Sequence, residues 1–133
     1  MKKIFILIAL AICLSSCGDD WRIKEFYIDN QTEDTIRIVF NEIHPFYNYM
    51  DPDNLIYLPH QKKIFFDLEV RKPLGGDIGC KYSGIKKEDI EIYISSGRKL
   101  VKEFTDFESN WDCEKDKYGN ITRTFKINEE DLE

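Results

Sequence analysis

Four cysteines are the residues in this sequence whose side chains offer the most defined chemistry. Cys13 and Cys17 lie near the end of an apolar N-terminal segment, whereas Cys80 and Cys113 lie far apart in the rest of the chain. A thiol can be acylated, oxidised to a disulfide or bound to a metal, and the compartment that the chain occupies decides between these fates. The N-terminal segment that sets the compartment therefore has to be interpreted first.

Residues 1–17 have the organisation of a secretory signal. Two lysines precede an apolar run over residues 4–14, and two serines follow it. A run of about eleven apolar residues is too short to cross about 30 Å of hydrocarbon as a helix. We predict a cleaved signal peptide over residues 1–16 and therefore an exported chain.

The sequence Leu-Ser-Ser-Cys at residues 14–17 resembles the lipobox of bacterial lipoproteins. In that family the cysteine is acylated through its sulfur and becomes the first mature residue, so the resemblance implies a lipid anchor on Cys17. Two or three acyl chains, at about 0.8 kcal/mol per buried methylene, would make membrane attachment permanent. The alternative is an ordinary cleaved signal with an unmodified cysteine.

An acidic pair, Asp19 and Asp20, follows the lipobox cysteine directly. It resembles the signal that sends lipoproteins of Bacteroidota to the outer face of the outer membrane. The resemblance implies a lipid-anchored outer-membrane protein, on the periplasmic or the cell-surface face.

Cys80 and Cys113 would remain after cleavage removes Cys13 and acylation occupies Cys17. We predict that they form a disulfide, because disulfides persist outside the cytoplasm. Closing a loop of about 34 residues would stabilise the fold by roughly 3 to 4 kcal/mol in the chain-entropy model. Two buried free thiols are the alternative, and zinc is not expected because neither cysteine has a neighbour at metal spacing.

The length of the chain limits how many domains it can form, and its net charge limits which classes of partner it can bind. The 133 residues carry 19 basic and 25 acidic side chains, and cleavage of the signal would change the net charge from −6 to −8. This acidity argues against nucleic acid and against anionic lipid bound through a basic patch. We predict an acylated Cys17 with a short acidic tether over residues 17–20, one domain over residues 21–128 and an acidic tail over residues 129–133.

No catalytic constellation emerges from the residue types that usually carry one. His44 and His60 lie beside prolines in predicted turns, and neither has a nucleophile motif next to it. Paired carboxylates such as Asp51 with Asp53 occur throughout so acidic a chain and single out no glycosidase pair. We therefore predict that the protein is not an enzyme, with an envelope enzyme or enzyme-inhibitor lipoprotein as the alternative.

Metal and cofactor sites are not predicted either. Asp112, Glu114 and Asp116 resemble the start of a calcium loop, but Lys117 replaces the required glycine and Arg123 the required glutamate. We expect no cofactor and no dedicated metal site.

The loop over residues 41–53 has the one feature typical of a binding surface. Phe46, Tyr47 and Tyr49 fall in a short window between Pro45 and Pro52. Such rings stack on sugars or anchor a protein partner. The alternative is that they fold back as a lid over one end of the domain.

From Trp21 onward the apolar residues alternate with polar ones, which predicts strands. Two hairpins follow from this alternation, and the first places Ile28 opposite Ile36. The second places Ile94 opposite Leu100 across a three-residue loop over residues 96–98, with Gly97 or a neighbour in the left-handed conformation. A two-residue turn is the alternative, but it would leave charges on the core face. The first hairpin would also pair Phe26 with Ile38, and the second would pair Ile90 with Phe104. Further strands are predicted over residues 55–58, over residues 63–71 with Ile64, Phe66, Leu68 and Val70 facing inward, and over residues 121–127.

Seven or eight short strands predict an all-β fold, a single antiparallel β-sandwich with a partly closed barrel as the alternative. The polar Asn-x-Thr turn at residues 30–32, the Ser-Gly-Arg segment at residues 96–98, Trp111 and the acidic tail resemble small uncharacterised β-sandwich lipoproteins of Bacteroidota. That resemblance implies a fold and no activity. Asp34, Thr35 and Ile36 also resemble the O-glycosylation acceptor of the same phylum, which implies a modification site at Thr35.

The functional expectation from the sequence is a non-enzymatic module at the cell envelope that binds or scaffolds. Its predicted partners are the membrane, through acylated Cys17, and a protein or glycan that the sequence does not name. This expectation rests on the predicted location at the outer membrane and on the predicted fold class, because the sequence indicates no catalytic site.

Overall fold

The computed structural model describes residues 21–41, 45, 50–74, 76 and 78–133. Within these ranges the chain forms seven strands, three short 3-10 turns and no α-helix. No helix in this part of the chain is long and apolar enough to cross a membrane. The strands are β1 (Trp21–Asn30), β2 (Ile36–Phe40), β3 (Ile56–Tyr57), β4 (Lys62–Arg71), β5 (Ile90–Ile94), β6 (Asp112–Lys115) and β7 (Ile121–Ile127), and the 3-10 turns are Pro52–Leu55, Lys87–Asp89 and Glu129–Asp131.

The strands form two separate sheets in the described part of the chain, which gives a sandwich-like all-β fold. One sheet has four strands in the order β4-β1-β7-β6, and the other has three in the order β3-β2-β5. β7 has the bounds that its alternation predicts, but it runs parallel to β1. The prediction of a purely antiparallel fold is therefore wrong at this pair. Parallel neighbours need a long connection, and the whole of the intervening chain supplies it.

β1 and β2 face each other across the core instead of pairing as a hairpin. β1 pairs with β4 and β7, whereas β2 pairs with β3 and β5, so the predicted pairs of Ile28 with Ile36 and of Phe26 with Ile38 are wrong. All four side chains are nevertheless buried in one core. Alternation fixes which face of a strand is apolar, and that face can be covered by a second sheet as well as continued by a hairpin neighbour.

The second predicted hairpin is also replaced by a different pairing. β5 lies along β2, with Ile94 opposite Ile36 and Ile90 opposite Phe40. Gly97 has a φ of 81° in the turn that follows, as predicted, but Leu100 forms a bridge with Leu132 and not with Ile94. β2 pairs with all five residues of β5 in matching apolar register, which gives β5 a fully apolar core face.

β4 contains an irregularity that strict alternation does not predict. Phe26 lies opposite Phe66, but Tyr27 lies opposite Ile64, so the pairing register skips Phe65. As a result both Phe65 and Phe66 are buried, although the sequence pattern assigns only Phe66 to the inward face. A bulge of this kind turns two successive side chains toward the same side.

The core between the sheets is built from aromatic rings. Phe26 stacks on Phe66 within the four-stranded sheet, with ring centroids 4.3 Å apart. Phe40 of the other sheet stacks on Phe65 at 5.8 Å, which joins the two sheets. The indole N–H of the buried Trp111 donates to a backbone carbonyl oxygen at 2.7 Å, as buried tryptophans require.

Candidate functional site

The structure describes only part of the set of site residues that the sequence predicts. Cys17 and the aromatic loop residues Phe46, Tyr47 and Tyr49 lie outside the described residues, as does His44. The lipid anchor and the contact loop therefore stay predictions. The described residues include both cysteines of the predicted disulfide, His60 and the carboxylates considered above.

The disulfide between Cys80 and Cys113 is present, as predicted. Their Cα atoms are 6.1 Å apart, and the bond joins the irregular segment after β4 to the edge strand β6. β6 has β7 as its neighbour in the sheet, so the bond adds a covalent attachment to a short strand. This staple indicates a stabilised fold and is consistent with export.

Next to the disulfide, two cations lie buried against backbone carbonyls. Arg123 is only 2% exposed, and its guanidinium donates to the carbonyl oxygens of Cys80 at 2.7 Å, of Trp111 at 3.2 Å and of Phe107. Lys24 donates to the carbonyl oxygen of Lys81 at 2.8 Å. Burial lowers the pKa of both side chains, and the neighbouring Arg123 lowers that of Lys24 further.

Arg123 and its carbonyl acceptors, which we call the Arg123 clasp, hold irregular backbone segments against the four-stranded sheet. The strand pattern places Arg123 on the inward face of β7, but the sequence does not indicate that segments around residues 80 and 107–111 supply its acceptors. Buried backbone carbonyl oxygens that find no donor within a sheet need a donor from elsewhere. The guanidinium of Arg123 donates these hydrogen bonds, so its role in the fold is structural.

A second polar cluster lies at the opposite end of β1, around Asp34. This carboxylate is 7% exposed and accepts five hydrogen bonds, from Ser95, from the backbone and side chain of Ser96, and twice from Arg98. The Arg98 guanidinium and the two serine hydroxyls hold the pKa of Asp34 at about 2. Arg98 also donates to Glu129 at 2.8 Å, which ties the C-terminal turn to the same cluster.

The Asp34 cluster has a structural role, because it connects the turns after β1 and β5 to the C-terminal 3-10 turn. A carboxylate with a pKa of about 2 is ionised at every physiological pH, and donors already surround it, so it is a poor general base. The adjoining Asn30 supports the cluster, because its side-chain amide donates to the carbonyl oxygens of Asp34, Tyr57 and Leu58 at 2.7, 3.2 and 3.0 Å. Thr35, the predicted modification site, is half-buried, and its backbone N–H bonds to Ser95.

His60 occupies the predicted turn between β3 and β4, with a φ of 58°. Its Nε2 lies 2.7 Å from Glu33 in an exposed pair. The ring thus contacts a surface carboxylate in a turn. This geometry supplies no nucleophile for the base to activate.

Two carboxylates considered in the sequence analysis, Asp51 and Asp116, stabilise turns. Asp51 caps the 3-10 turn Pro52–Leu55 by accepting from the backbone N–H of Asp53 at 3.0 Å. Asp116 accepts from the backbone N–H groups of Tyr118 and Asn120 at 2.8 and 2.9 Å. Among the described residues no group of three or more His, Cys, Asp or Glu side chains is placed to hold a metal ion.

Described residues from before and after the aromatic part of the predicted contact loop line one apolar groove. It is lined by Phe40 at the end of β2 and by Met50, Leu55 and Ile56 where the chain returns to β3. Ile56 is 40% exposed. The flanks of the loop therefore meet beside apolar surface, as both the contact and the lid interpretation require.

The start of β1 carries exposed aromatic residues that the sequence pattern did not single out. Trp21 is 59% exposed and Tyr118 is 66% exposed, and together with Arg22, Lys117 and Asn120 they line one shallow depression. The sequence signal that could have identified Trp21 is a tryptophan at the start of a predicted strand, four residues after the cysteine of the predicted lipobox.

Comparison with known proteins identifies no relative of this chain. No family model matches it, and neither the curated proteins nor the solved structures contain a significant match. The functional argument consequently rests on the residues and on their geometry.

Proposed function

We propose that this protein is a lipid-anchored module of the outer membrane that binds or scaffolds a partner at the cell envelope and does no chemistry of its own. The observation that carries the proposal is the lipobox at residues 14–17, followed after three residues by the first strand of the domain. Four Cα–Cα steps separate Cys17 from Trp21, so the anchor and the fold lie at most about 14 Å apart.

The disulfide supports the export that an anchored lipoprotein requires. Cys80 and Cys113 are bonded, and such bonds form outside the cytoplasm. The polar clusters support a binding role over a catalytic one, because their charged groups are already engaged in holding the fold. Arg123 contacts backbone carbonyls and Asp34 contacts Arg98 and two serines.

Substitution of the lipobox cysteine tests the anchor. The Cys17→Ala chain should accumulate unprocessed or appear in the soluble fraction, while the unaltered chain is recovered with detergent-extracted membranes. Cys13→Ala is the matched control, because it removes a thiol from the same segment and should leave processing and membrane recovery unchanged. Normal cleavage and full membrane retention of Cys17→Ala would refute the proposed anchor.

The aromatic loop is the proposed contact surface for a protein or glycan. Capture of envelope proteins and glycans on the anchored chain should lose a specific partner when Tyr47 and Tyr49 are both replaced by alanine, and the melting temperature should change little. A lid would instead lose stability, because each buried ring that is truncated costs about 3 to 5 kcal/mol. A large loss of stability with unchanged capture would refute the contact role.

A further inference from the structure

The surface nearest to the proposed anchor differs in charge from the rest of the molecule. Trp21 begins β1 and lies opposite Arg71 at the end of β4. The backbone N–H of Ile23 donates to the Asn120 side chain at 2.9 Å, which fixes the turn after β6 at the same end. We call this region the β1-start surface, and its exposed side chains are those of Trp21, Arg71, Leu74, Lys117 and Tyr118.

Basic residues predominate on and around the β1-start surface, although the acidity of the whole chain predicts no basic patch for anionic lipid. Residues 21–22, 71–74 and 115–118 contain five Lys or Arg and one acid, Asp116. The Asp116 carboxylate is engaged by backbone N–H groups of its own turn. Asp19 and Asp20 precede Trp21 in the sequence, and counting them with these ranges leaves five basic residues against three acidic ones.

The other end of β1 has the opposite character. Residues 128–133 contain four acids, and Glu33 and Asp34 lie beside them. β1 has ten residues, so its two ends are about 30 Å apart. The molecule therefore has a basic end and an acidic end, and the basic end is the one that leads to Cys17.

Two of the exposed side chains have the chemistry of a membrane interface. Trp and Tyr combine an apolar ring with a polar atom and are enriched at the level of lipid headgroups. Trp21 and Tyr118 extend from the β1-start surface, and Lys117 lies 5.0 Å from the Tyr118 ring centroid. Leu74 is fully exposed at the same end of the four-stranded sheet.

The tether is too short to let this surface move far from the bilayer. An acyl chain on Cys17 holds that residue at the headgroup boundary, and Trp21 follows within at most about 14 Å. We infer that the β1-start surface rests on the headgroup layer of an anionic bilayer, with Trp21 and Tyr118 in the interface and Arg71 and Lys117 against lipid phosphates. This inference rests on the proposed lipid anchor.

Docking in this way fixes the orientation of the whole domain. β1 stands away from the membrane, and the acidic end around Asp34 and Glu129 points outward. Lipid phosphates attract basic residues near the surface by about 1 kcal/mol each and repel acidic ones over the same range. Every anchored copy would therefore have the same orientation relative to the membrane.

Tryptophan fluorescence of the acylated chain in vesicles tests the orientation. The sequence has two tryptophans, and Trp111 is buried in the core. Vesicles of phosphatidylcholine and phosphatidylglycerol with brominated acyl chains should blue-shift and quench the Trp21 emission. Trp21→Phe should abolish the quenching, while the buried Trp111 should remain bright.

Charge reversal tests the role of the basic residues. Arg71→Glu with Lys117→Glu should reduce the quenching on phosphatidylglycerol vesicles, because each lost basic residue shifts the docking equilibrium by at least roughly fivefold. Lys62→Glu with Lys99→Glu is the matched control, since it makes the same change in net charge with exposed residues toward the acidic end. This control should quench like the unaltered chain.

The outcomes separate the inference from the proposed function. An acylated chain that sediments with vesicles while Trp21 remains unshifted and unquenched would overturn the docking and leave the anchor intact. Equal quenching of both charge-reversed chains would overturn the assignment of Arg71 and Lys117. A chain that carries no acyl group and does not sediment with vesicles would overturn the proposed function and the docking together.

Discussion

Arg123 and Arg98 both hold separate segments of the fold together, but they use different hydrogen-bond acceptors. Each arginine ties irregular backbone to the sheets, but Arg123 is almost fully buried and donates to neutral carbonyl oxygens. Arg98 is about one-third exposed and donates to two carboxylates. Burial lowers the pKa of Arg123, whereas the carboxylate partners raise that of Arg98.

The difference teaches what each cluster depends on. Carbonyl oxygens do not titrate, so the contacts of Arg123 should hold over a wide pH range. Carboxylates do titrate, so the contacts of Arg98 should weaken in acid. The Nε of Arg123 is buried and has no hydrogen-bond partner among the described residues, so this cation depends on its remaining contacts, because each unsatisfied group in the interior costs about 1 to 3 kcal/mol.

We expect the largest effect from Arg123→Ala. This change leaves the carbonyl oxygens of Cys80, Phe107 and Trp111 without their donor, which should cost at least about 3 kcal/mol. Thermal unfolding should show a melting temperature roughly 10 °C or more below that of the unaltered chain. Arg37→Ala, on the exposed face of β2, should change the melting temperature little, and equal effects of the two substitutions would contradict the clasp.

Loss of the disulfide should have the next largest effect. Replacing Cys80 and Cys113 by alanine opens a cross-link with a sequence separation of 33 and should reduce the free energy of unfolding by roughly 3 kcal/mol. Urea unfolding measures the loss, and a reductant should lower the midpoint of the unaltered chain but not that of the double variant.

The disulfide variant also sharpens the account of Arg123. Because the carbonyl oxygen of Cys80 is one of the acceptors of Arg123, the effects of Arg123→Ala and of the double cysteine variant should not add. Strict additivity in the combined variant would show that the bond and the clasp act independently.

Acid sensitivity distinguishes the Arg98 cluster and should be the smallest of the three effects. The pKa of Asp34 is lowered from 3.8 to about 2 in the folded chain. The ionised carboxylate therefore stabilises the fold above pH 3.8, and this contribution is lost as the pH falls through the folded pKa of about 2. Melting temperatures measured from about pH 6 to about pH 2 should show this loss.

Asp34→Asn provides the comparison for acid sensitivity. This variant should be less stable near neutral pH, and its melting temperature should fall less steeply between about pH 4 and about pH 2. Asp53→Asn replaces an exposed carboxylate in a turn and should keep the slope of the unaltered chain. A slope in Asp34→Asn equal to that of the unaltered chain would contradict the role of the cluster in acid.

The apolar faces of the strands could be predicted from the sequence, but their partners could not. Ile28 and Ile36 point into one core, as alternation requires, yet they belong to different sheets. A period of two says which side of a strand is buried and not which strand lies beside it. For the same reason, the sequence could not show that β5 pairs with β2 and not with the segment that follows β5.

The site residues divide in a similar way. The disulfide could be predicted because the expected signal peptide and lipid anchor would account for Cys13 and Cys17, which leaves one possible pairing for the other two cysteines. The Asp34–Arg98 contact could not, because 64 residues separate its members and charged residues occur throughout the chain. Phe65 was missed for a local reason, since a bulge leaves no mark in the alternation.

The position of β7 has a consequence for when this protein can fold. β7 lies between β1 and β6 in the four-stranded sheet, so the first strand of the domain waits for the last one before it gains its second neighbour. A chain synthesised in N-to-C order presents β7 after the other six described strands. The sheet can therefore be completed only once almost the entire polypeptide is available, and pairing between strands so far apart in sequence favours slow folding.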